Sequence, residues 1–542
     1  MESSTAMRAL STAAQHSVRQ RWATLPVFTC RSQPTPHSSD PHRYQHYRCF
    51  SQSSATSSAP SPSSTSRTPL RCIKGTHDLF PPRSTHLNQL TALLSSLAAR
   101  HNYQPIHTPH LEPTALFTRS LASSDVVRHE LFQFNDHGTE TVLRPEGTAP
   151  VVRAVIGRGR GGGGGGVERY YYAGAMFRRE RPQRGRYRQF QQFGVECIGD
   201  ATVTADIECV VMAYDALVAS GLQAERLQLQ INSLGDDSSR QRYVAALTRY
   251  LNGRQSELSD ESQRRLKDGH VLRILDSKAT QDRCVIEGDN TATSRTAAPL
   301  LSDYLSEERR VRFAAVLRGL DGLGVKYVVN PFLVRGLDYY TDTTFEFLYT
   351  SSPSSPSSSP ASSPSVSPTA TPTATATTVS SASSTAPLTV LAGGRYDDLF
   401  STLGGPATPA IGWALGLDRL LLTLQEEGVE PADDDRRVAV LAVAEKVTGG
   451  DSEWDEVRLE ALRVCRQLRT AGVAAVHALE KGKVSKQMTW AAKAGVRASV
   501  IVGQEEMRRG VVQVKDMRQK QQLEVSRGAL TEHVQRLLRQ SS

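Results

Sequence analysis

Six arginines, Arg178, Arg179, Arg181, Arg184, Arg186 and Arg188, fall within YYYAGAMFRRERPQRGRYRQFQQFGVE at 170–196, among aromatic side chains and two acids, Glu180 and Glu196. Guanidinium forks match phosphate oxygens two at a time, and an aromatic ring stacks on a nucleobase, so a nucleoside triphosphate is a natural ligand for this composition. The flanks read as two strands joined by a turn containing Pro182 and Gly185. The same residues would also suit an ion-paired surface hairpin, and composition alone leaves that alternative open.

The elements that must position this block can be read from hydrophobic spacing. From Pro81 and Pro82 a helix is predicted to about Arg100, with Ser84 near its start and Leu87, Leu90, Leu94 and Leu97 at helical spacing. The β-rich runs LFQFN, ETVLRP, VERYYYAG and FQQFGVEC then cluster without intervening helices, which predicts an antiparallel sheet in contrast to a βαβ wind. Residues 203–220 read as a helix closed by Gly221. Residues 233–325 are charged and mostly helical, with Tyr243, Leu247, Leu251, Leu300, Tyr304 and Leu317 marking apolar faces, and read as an inserted subdomain. After residue 430 the pattern changes to alternating units. A strand, RVAVLAVA, precedes a helix carrying Trp454, Val457, Ala461, Cys465 and Leu468 on one face and closed by Gly472. Strands VAAVHAL, ASVIVG and VVQVKDM and helices at 485–494 and 530–539 complete a separate α/β domain.

Two insertions fall between these elements. Gly159 and Gly161 to Gly166 lack the lysine and hydroxyl of a phosphate-cradling loop and read as a linker. Residues 351–388, nearly all Ser, Pro, Thr and Ala, read as a disordered expansion of a hairpin tip, because TTFEFLY precedes them and LTVLAGG follows. Loop-closure entropy grows slowly with length, so such an expansion costs little.

The 542 residues carry 64 Lys plus Arg against 55 Asp plus Glu, a net +9 that is unevenly spread. Residues 1–70 hold seven Arg, no Lys, two acids and 16 Ser, leaving 57 bases and 53 acids for the remaining 472 residues. That leader has the composition of an organelle transit peptide, with a generic extension as the bland alternative and mitochondrion or chloroplast both open. Residues 481–542 hold 13 Lys or Arg against five acids, so the C-terminus is the basic pole of the body and the place to look for RNA. A solvated helical face accounts for the same charge. The seven Cys are scattered with no CxxC pair, which argues against a zinc site and a disulfide framework. No apolar run reaches the roughly 18 residues that a membrane-crossing helix requires, and the chain is expected to be soluble.

With these residues in view, the sequence resembles the histidyl-tRNA synthetases, class II aminoacyl-tRNA synthetases of bacterial or organellar type. The likeness covers about residues 72–542. It rests on IKGTHDLFPP at 73–82, LRPEGTAP at 143–150, the arginine block, LRILDSK at 272–278, LVRGLDYYT at 333–341, AGGRYDDL at 392–399 and PAIGWALGLDRL at 409–420. LVRGLDYYT together with the arginine block is highly specific, whereas GGRYD alone is weak. The resemblance implies a multidomain α+β chain. A class II antiparallel-sheet catalytic domain would span 71–425, with the helical insertion at 233–325, and an α/β anticodon-binding domain would span 436–542.

The same resemblance implies a histidine–tRNA ligase that uses L-histidine, ATP with Mg²⁺, and tRNA(His), as a homodimer. Arg178 and Arg335 match the α-phosphate arginines, approaching from opposite sides. Glu180 matches the residue that meets the adenine amino group, Phe190 the one that stacks on adenine, and Arg419 the arginine at the γ-phosphate end. Asp418 stands where the family usually has Glu. Glu196 and Tyr340 match the imidazole readers, Glu146, Thr148 and Gln192 the holders of the α-ammonium, and Tyr339 would line the same pocket. No side-chain metal ligand and no protein general base is implied.

At the C-terminus, KVSKQMTWAAKAG at 483–495 and VKDM at 514–517 resemble the anticodon-binding domain, with Lys481, Lys483, Lys486 and Lys493 as candidate phosphate contacts. Pro109 stands in the first class II motif, within a dimer segment at about 101–135, where SDVVRHELFQF departs from the usual pattern. A non-catalytic, synthetase-like regulatory protein is the rival. Such proteins typically lose the phosphate arginines and the C-terminal domain, and this chain keeps both.

Overall fold

The computed structural model describes residues 70–121, 126–159, 166–288, 297–334, 339–351, 387–431, 436–443, 451–477 and 483–540. The leader, most of the Gly run, the insertion from 352 to 386, Arg335 and Lys481 therefore lie outside the described residues. Residues 71–542 form one compact unit.

In chain order the strands begin with β1 (Gln104–Pro105), β2 (Leu111–Pro113), β3 (Phe132–Asp136) and β4 (Thr139–Leu143). Next come β5 (Glu168–Phe177), β6 (Gln189–Ile198), β7 (Leu227–Ser233) and β8 (Tyr327–Val329). The largest sheet is completed by β9 (Thr343–Tyr349), β10 (Leu388–Arg395) and β11 (Ala410–Gly416). Its order is β1-β5-β6-β11-β10-β9-β7-β8. The six inner strands pair antiparallel, and only the edge pairs β1/β5 and β7/β8 are parallel. An antiparallel sheet was expected, but β3 and β4 are not part of it. They pair with each other, and β4 also with β2, in a separate three-stranded sheet. Their apolar alternation is that of any half-buried strand and does not encode which partner it meets.

One face of the large sheet is packed by helices Arg83–Arg100, Val203–Ala219, Glu307–Gly322 and Leu417–Glu426. Leu90, Leu94 and Leu97 of the first helix are buried there, each contributing roughly 1.5–3 kcal/mol. That helix starts after Pro82 with no side-chain cap, so Ser84 does not play that part. Val316 and Leu320 of helix Glu307–Gly322 enter the same core, so the last helix of the 233–325 region packs on the sheet itself. Tyr243, Leu247 and Leu251 instead join the core on the opposite face, with helix Thr148–Gly157. The strands flanking the long insertion form a hairpin, with Tyr349 opposite Leu388.

The C-terminal region contains β12 (Val438–Val443), β13 (Ala475–His477), β14 (Ala498–Gly503), β15 (Val511–Asp516) and β16 (Gln522–Ser526). Their order is β13-β12-β14-β15-β16, with β12 parallel to β13 and β14 and the last three strands antiparallel. Val457, Ala461, Cys465 and Leu468 of helix Asp451–Thr470 are buried against it. Helices Val484–Lys493 and Leu530–Arg539 match the sequence reading, while β16 and the short helix Gln504–Arg509 were not anticipated.

Candidate active site

Period-two alternation in β6 decides which side chains meet a ligand. Phe193, Val195 and Cys197 enter the core beneath the helices, whereas Phe190, Gln192, Gly194 and Glu196 belong to the opposite face. On that face lies a cleft with about 200 Å³ of free volume, lined by Glu146, Thr148, Arg178, Glu180, Phe190, Gln192, Tyr339, Tyr340 and Arg419. These come from five separated stretches of sequence, and the cleft brings them together. Glu196 is buried just beneath it, on β6 opposite Gly412 of β11. A Cβ on Gly412 would stand 2.0 Å from Glu196 Oε2, so the missing side chain is what makes room for this carboxylate.

The deep end of the cleft is built from carboxylates and phenols. Glu196 Oε1 accepts from Thr148 Oγ1 at 2.7 Å and from Tyr172 Oη at 3.4 Å, while Oε2 accepts from Tyr396 Oη. Burial, with the neighbouring Glu146 charge adding to it, pushes the Glu196 carboxyl up to about 8 despite these donors. Glu146 accepts from the backbone N–H groups of Thr148 (2.7 Å) and Ala149 (2.9 Å) at the start of helix Thr148–Gly157, and from Tyr339 Oη at 3.4 Å. Burial raises its pKa too, opposed by those N–H groups and by Arg178. Tyr339 packs 5.0 Å from the Tyr340 ring and 5.8 Å from Tyr396. Gln192 Oε1 is buried without a hydrogen-bond partner among the described residues, so an acceptor is held ready there. The walls suit a small cation with a ring that both donates and accepts.

The outer end is cationic. Arg178 is held by a bond from Nε to Pro145 O (2.9 Å), with its guanidinium 5.5 Å from the centre of the Phe190 ring. Glu180 sits between Arg178 and Arg186, 3.6 Å from each. Arg419, near the start of helix Leu417–Glu426, donates to Thr389 O at 2.6 Å. Its neighbour Asp418 accepts from Gln191 N at 2.5 Å, which ties this helix to β6.

The family model for histidyl-tRNA synthetase matches residues 75–355, and that for an anticodon-binding domain matches 437–537. Histidine–tRNA ligase of Synechocystis sp. is 37% identical over 474 residues, covering 86% of this chain and 94% of the relative. That of Synechococcus sp. (strain JA-3-3Ab) is 39% identical over 450 residues, 83% of this chain and 94% of the relative. The chain belongs to the histidyl-tRNA synthetase family. Among solved structures, apo S. aureus histidyl-tRNA synthetase superposes with a TM-score of 0.63 at 30% identity, covering 86% of this chain and 99% of that chain.

The two regions are thus the class II catalytic domain of a histidyl-tRNA synthetase and its anticodon-binding domain. Sequence reading missed Tyr396, which bonds Glu196 from the AGGRYDDL segment, and Tyr172, whose hydroxyl reaches the same carboxylate. A tyrosine inside a quoted family segment was the available signal for the first. Nothing in the spacing marked the second. In the anticodon-binding domain, Lys483, Lys486 and Lys493 are exposed on or beside helix Val484–Lys493, which also exposes Trp490.

Proposed function

We propose that this chain joins the carboxylate of L-histidine to the α-phosphate of ATP, releasing pyrophosphate, and then transfers the histidyl group to the 3′ end of tRNA(His). The observation that carries this reading is the buried Glu196, beneath a cleft whose outer end carries Arg178 and Arg419. One end suits an imidazole and the other a triphosphate.

In the first step a carboxylate oxygen forms the new bond to phosphorus as the bond to the bridging pyrophosphate oxygen breaks. Charge grows on the pentavalent phosphorus, and Arg178 and Arg335 would stabilise it from opposite sides. Glu180 would meet the adenine amino group, Phe190 would stack on the ring, and Arg419 would hold the γ-phosphate end. Glu196 and Tyr340 would read the two imidazole nitrogens, because a buried donor–acceptor pair rejects rings that leave either unpaired. Glu146, Thr148 and Gln192 would hold the α-ammonium. Gln192 Oε1, buried without a hydrogen-bond partner among the described residues, supports this role.

When bound with ATP, Mg²⁺ would supply neutralisation of the triphosphate charge. Of the carboxylates lining the outer end, Glu180 is paired with arginines and Asp418 with Gln191 N, so phosphate oxygens are the fitting ligands. A homodimer is supported by Leu111 and Phe134, exposed on the three-stranded sheet at 52% and 43%. Sedimentation as a monomer at micromolar concentration would sink that part. The Arg- and Ser-rich leader supports delivery to a mitochondrion, a chloroplast or both. Fusing residues 1–70 to a fluorescent protein tests this, with a diffuse cytosolic signal the contrary result.

The decisive experiment for the whole reading is ATP–pyrophosphate exchange with each of the twenty amino acids. Exchange with histidine alone is expected. Silence with all twenty from folded protein would favour the regulatory reading.

A further inference from the structure

A short segment that none of these roles uses runs beside the nucleotide end of the cleft. Gly75 O accepts from Arg188 N at 2.8 Å, and Arg188 O accepts from Arg178 N at 2.9 Å, so the segment, the arginine turn and Arg178 form one hydrogen-bonded series. Gly75 has φ +91°, and a Cβ there would stand 2.8 Å from Arg188 Cγ and 2.9 Å from Pro182 Cγ. Only glycine permits so close an approach. Two residues later the His77 ring packs 4.4 Å from the Tyr187 ring, with Nε2 3.7 Å from Asp418 Oδ1. The other Asp418 oxygen holds Gln191 N. Tyr187, Gln191 and Asp418 all line the cleft, so His77 touches the turn on one side and the start of the Arg419 helix on the other.

We propose that residues 73–78 are a strap that fixes the arginine turn in its nucleotide-binding arrangement, with His77 as the positioning residue that joins Tyr187 to Asp418. This rests on the outer end of the cleft being an ATP site. Six arginines within eleven positions repel one another, and a turn left to itself would spread into solvent. A strap that orders it beforehand removes that cost from ATP binding. It follows that any processing of the leader must stop before Ile73.

The test uses the full-length chain and reads ATP affinity by calorimetry alongside exchange kinetics. His77→Ala is expected to raise the ATP Kd and the KM for ATP about tenfold, while kcat and the KM for histidine change less than about twofold. His77→Gln keeps a polar group beside Asp418 and should recover to within about threefold of wild type. Gly75→Ala should reproduce the ATP-selective loss by pushing the strap off Arg188. The proposal is overturned if neither His77→Ala nor Gly75→Ala changes ATP affinity. It is equally overturned if ATP and histidine constants worsen together with a lowered Tm and Gln gives no rescue, the mark of a merely structural residue. If wild-type exchange is silent but ATP binds and His77→Ala weakens it, the strap stands and the ligase reading falls. If wild type binds no ATP, both fall.

Discussion

A carboxyl held near pH 8 next to a second buried carboxyl is an expensive arrangement, and Glu196 has it because β6 alternation and Gly412 leave it nowhere else to go. The folded chain binds a proton at Glu196 that the unfolded chain, titrating near 4.5, has released. Glu196 therefore makes stability fall as pH rises from about 4.5 to about 8. In Glu196→Gln this slope should flatten, with Tm at pH 8 above wild type and histidine-dependent exchange lost; a steeper slope in scanning calorimetry would contradict the burial argument. At the other end, Arg178→Ala should lower the adenylation rate by on the order of 10², with a modest change in ATP affinity, because its charge acts mainly on the transition state. Single-turnover kinetics at wild-type rate would remove Arg178 from the chemistry. Both residues were legible in sequence because each sits in a contiguous, chemically unusual run. Tyr172 lies in the same run, but its bond to Glu196 depends on strand register, and the tie from Asp418 to Gln191 N joins residues far apart in the chain, so neither was legible.

At the level of elements, legibility followed length and periodicity. The helix Arg83–Arg100 announced itself through four leucines on one face, and helix Asp451–Thr470 through its own apolar stripe. The strand Gln522–Ser526 is short and mostly exposed, and helix Gln504–Arg509 has no buried residue, so neither offers a pattern to read. The pairing of β9 with β10 bears on the long insertion between them, because the two strands keep a ladder from Leu388↔Tyr349 through Gly394↔Thr344. Tyr349 and Leu391 are buried in the main core, so the hairpin is anchored below its tip. Replacing residues 352–386 by a short Gly-Ser turn should leave histidine-dependent exchange within about twofold of wild type, as loop-closure entropy changes slowly with length. A tenfold or greater loss would mean that the insertion contacts a substrate or a second subunit.

Across the whole molecule, the division of charge and the division of chemistry coincide. The cleft in the catalytic domain holds the groups suited to histidine and ATP, whereas residues 481–542 of the anticodon-binding domain hold 13 bases against five acids, a charge suited to a polyanion. Phosphate contacts set affinity without reading bases and weaken with salt, so lysines on one exposed helix should act only in the step that involves RNA. The double variant Lys486→Glu with Lys493→Glu places two repulsive charges on helix Val484–Lys493, far in sequence from every cleft residue. It should leave ATP–pyrophosphate exchange unchanged, raise the KM for tRNA about tenfold or more in aminoacylation, and flatten the salt dependence of tRNA binding by about two counterions. If exchange falls in parallel with charging, the two regions are coupled in the first step. If neither changes, the basic face is merely solvated, and the RNA contacts must lie on another surface of the domain.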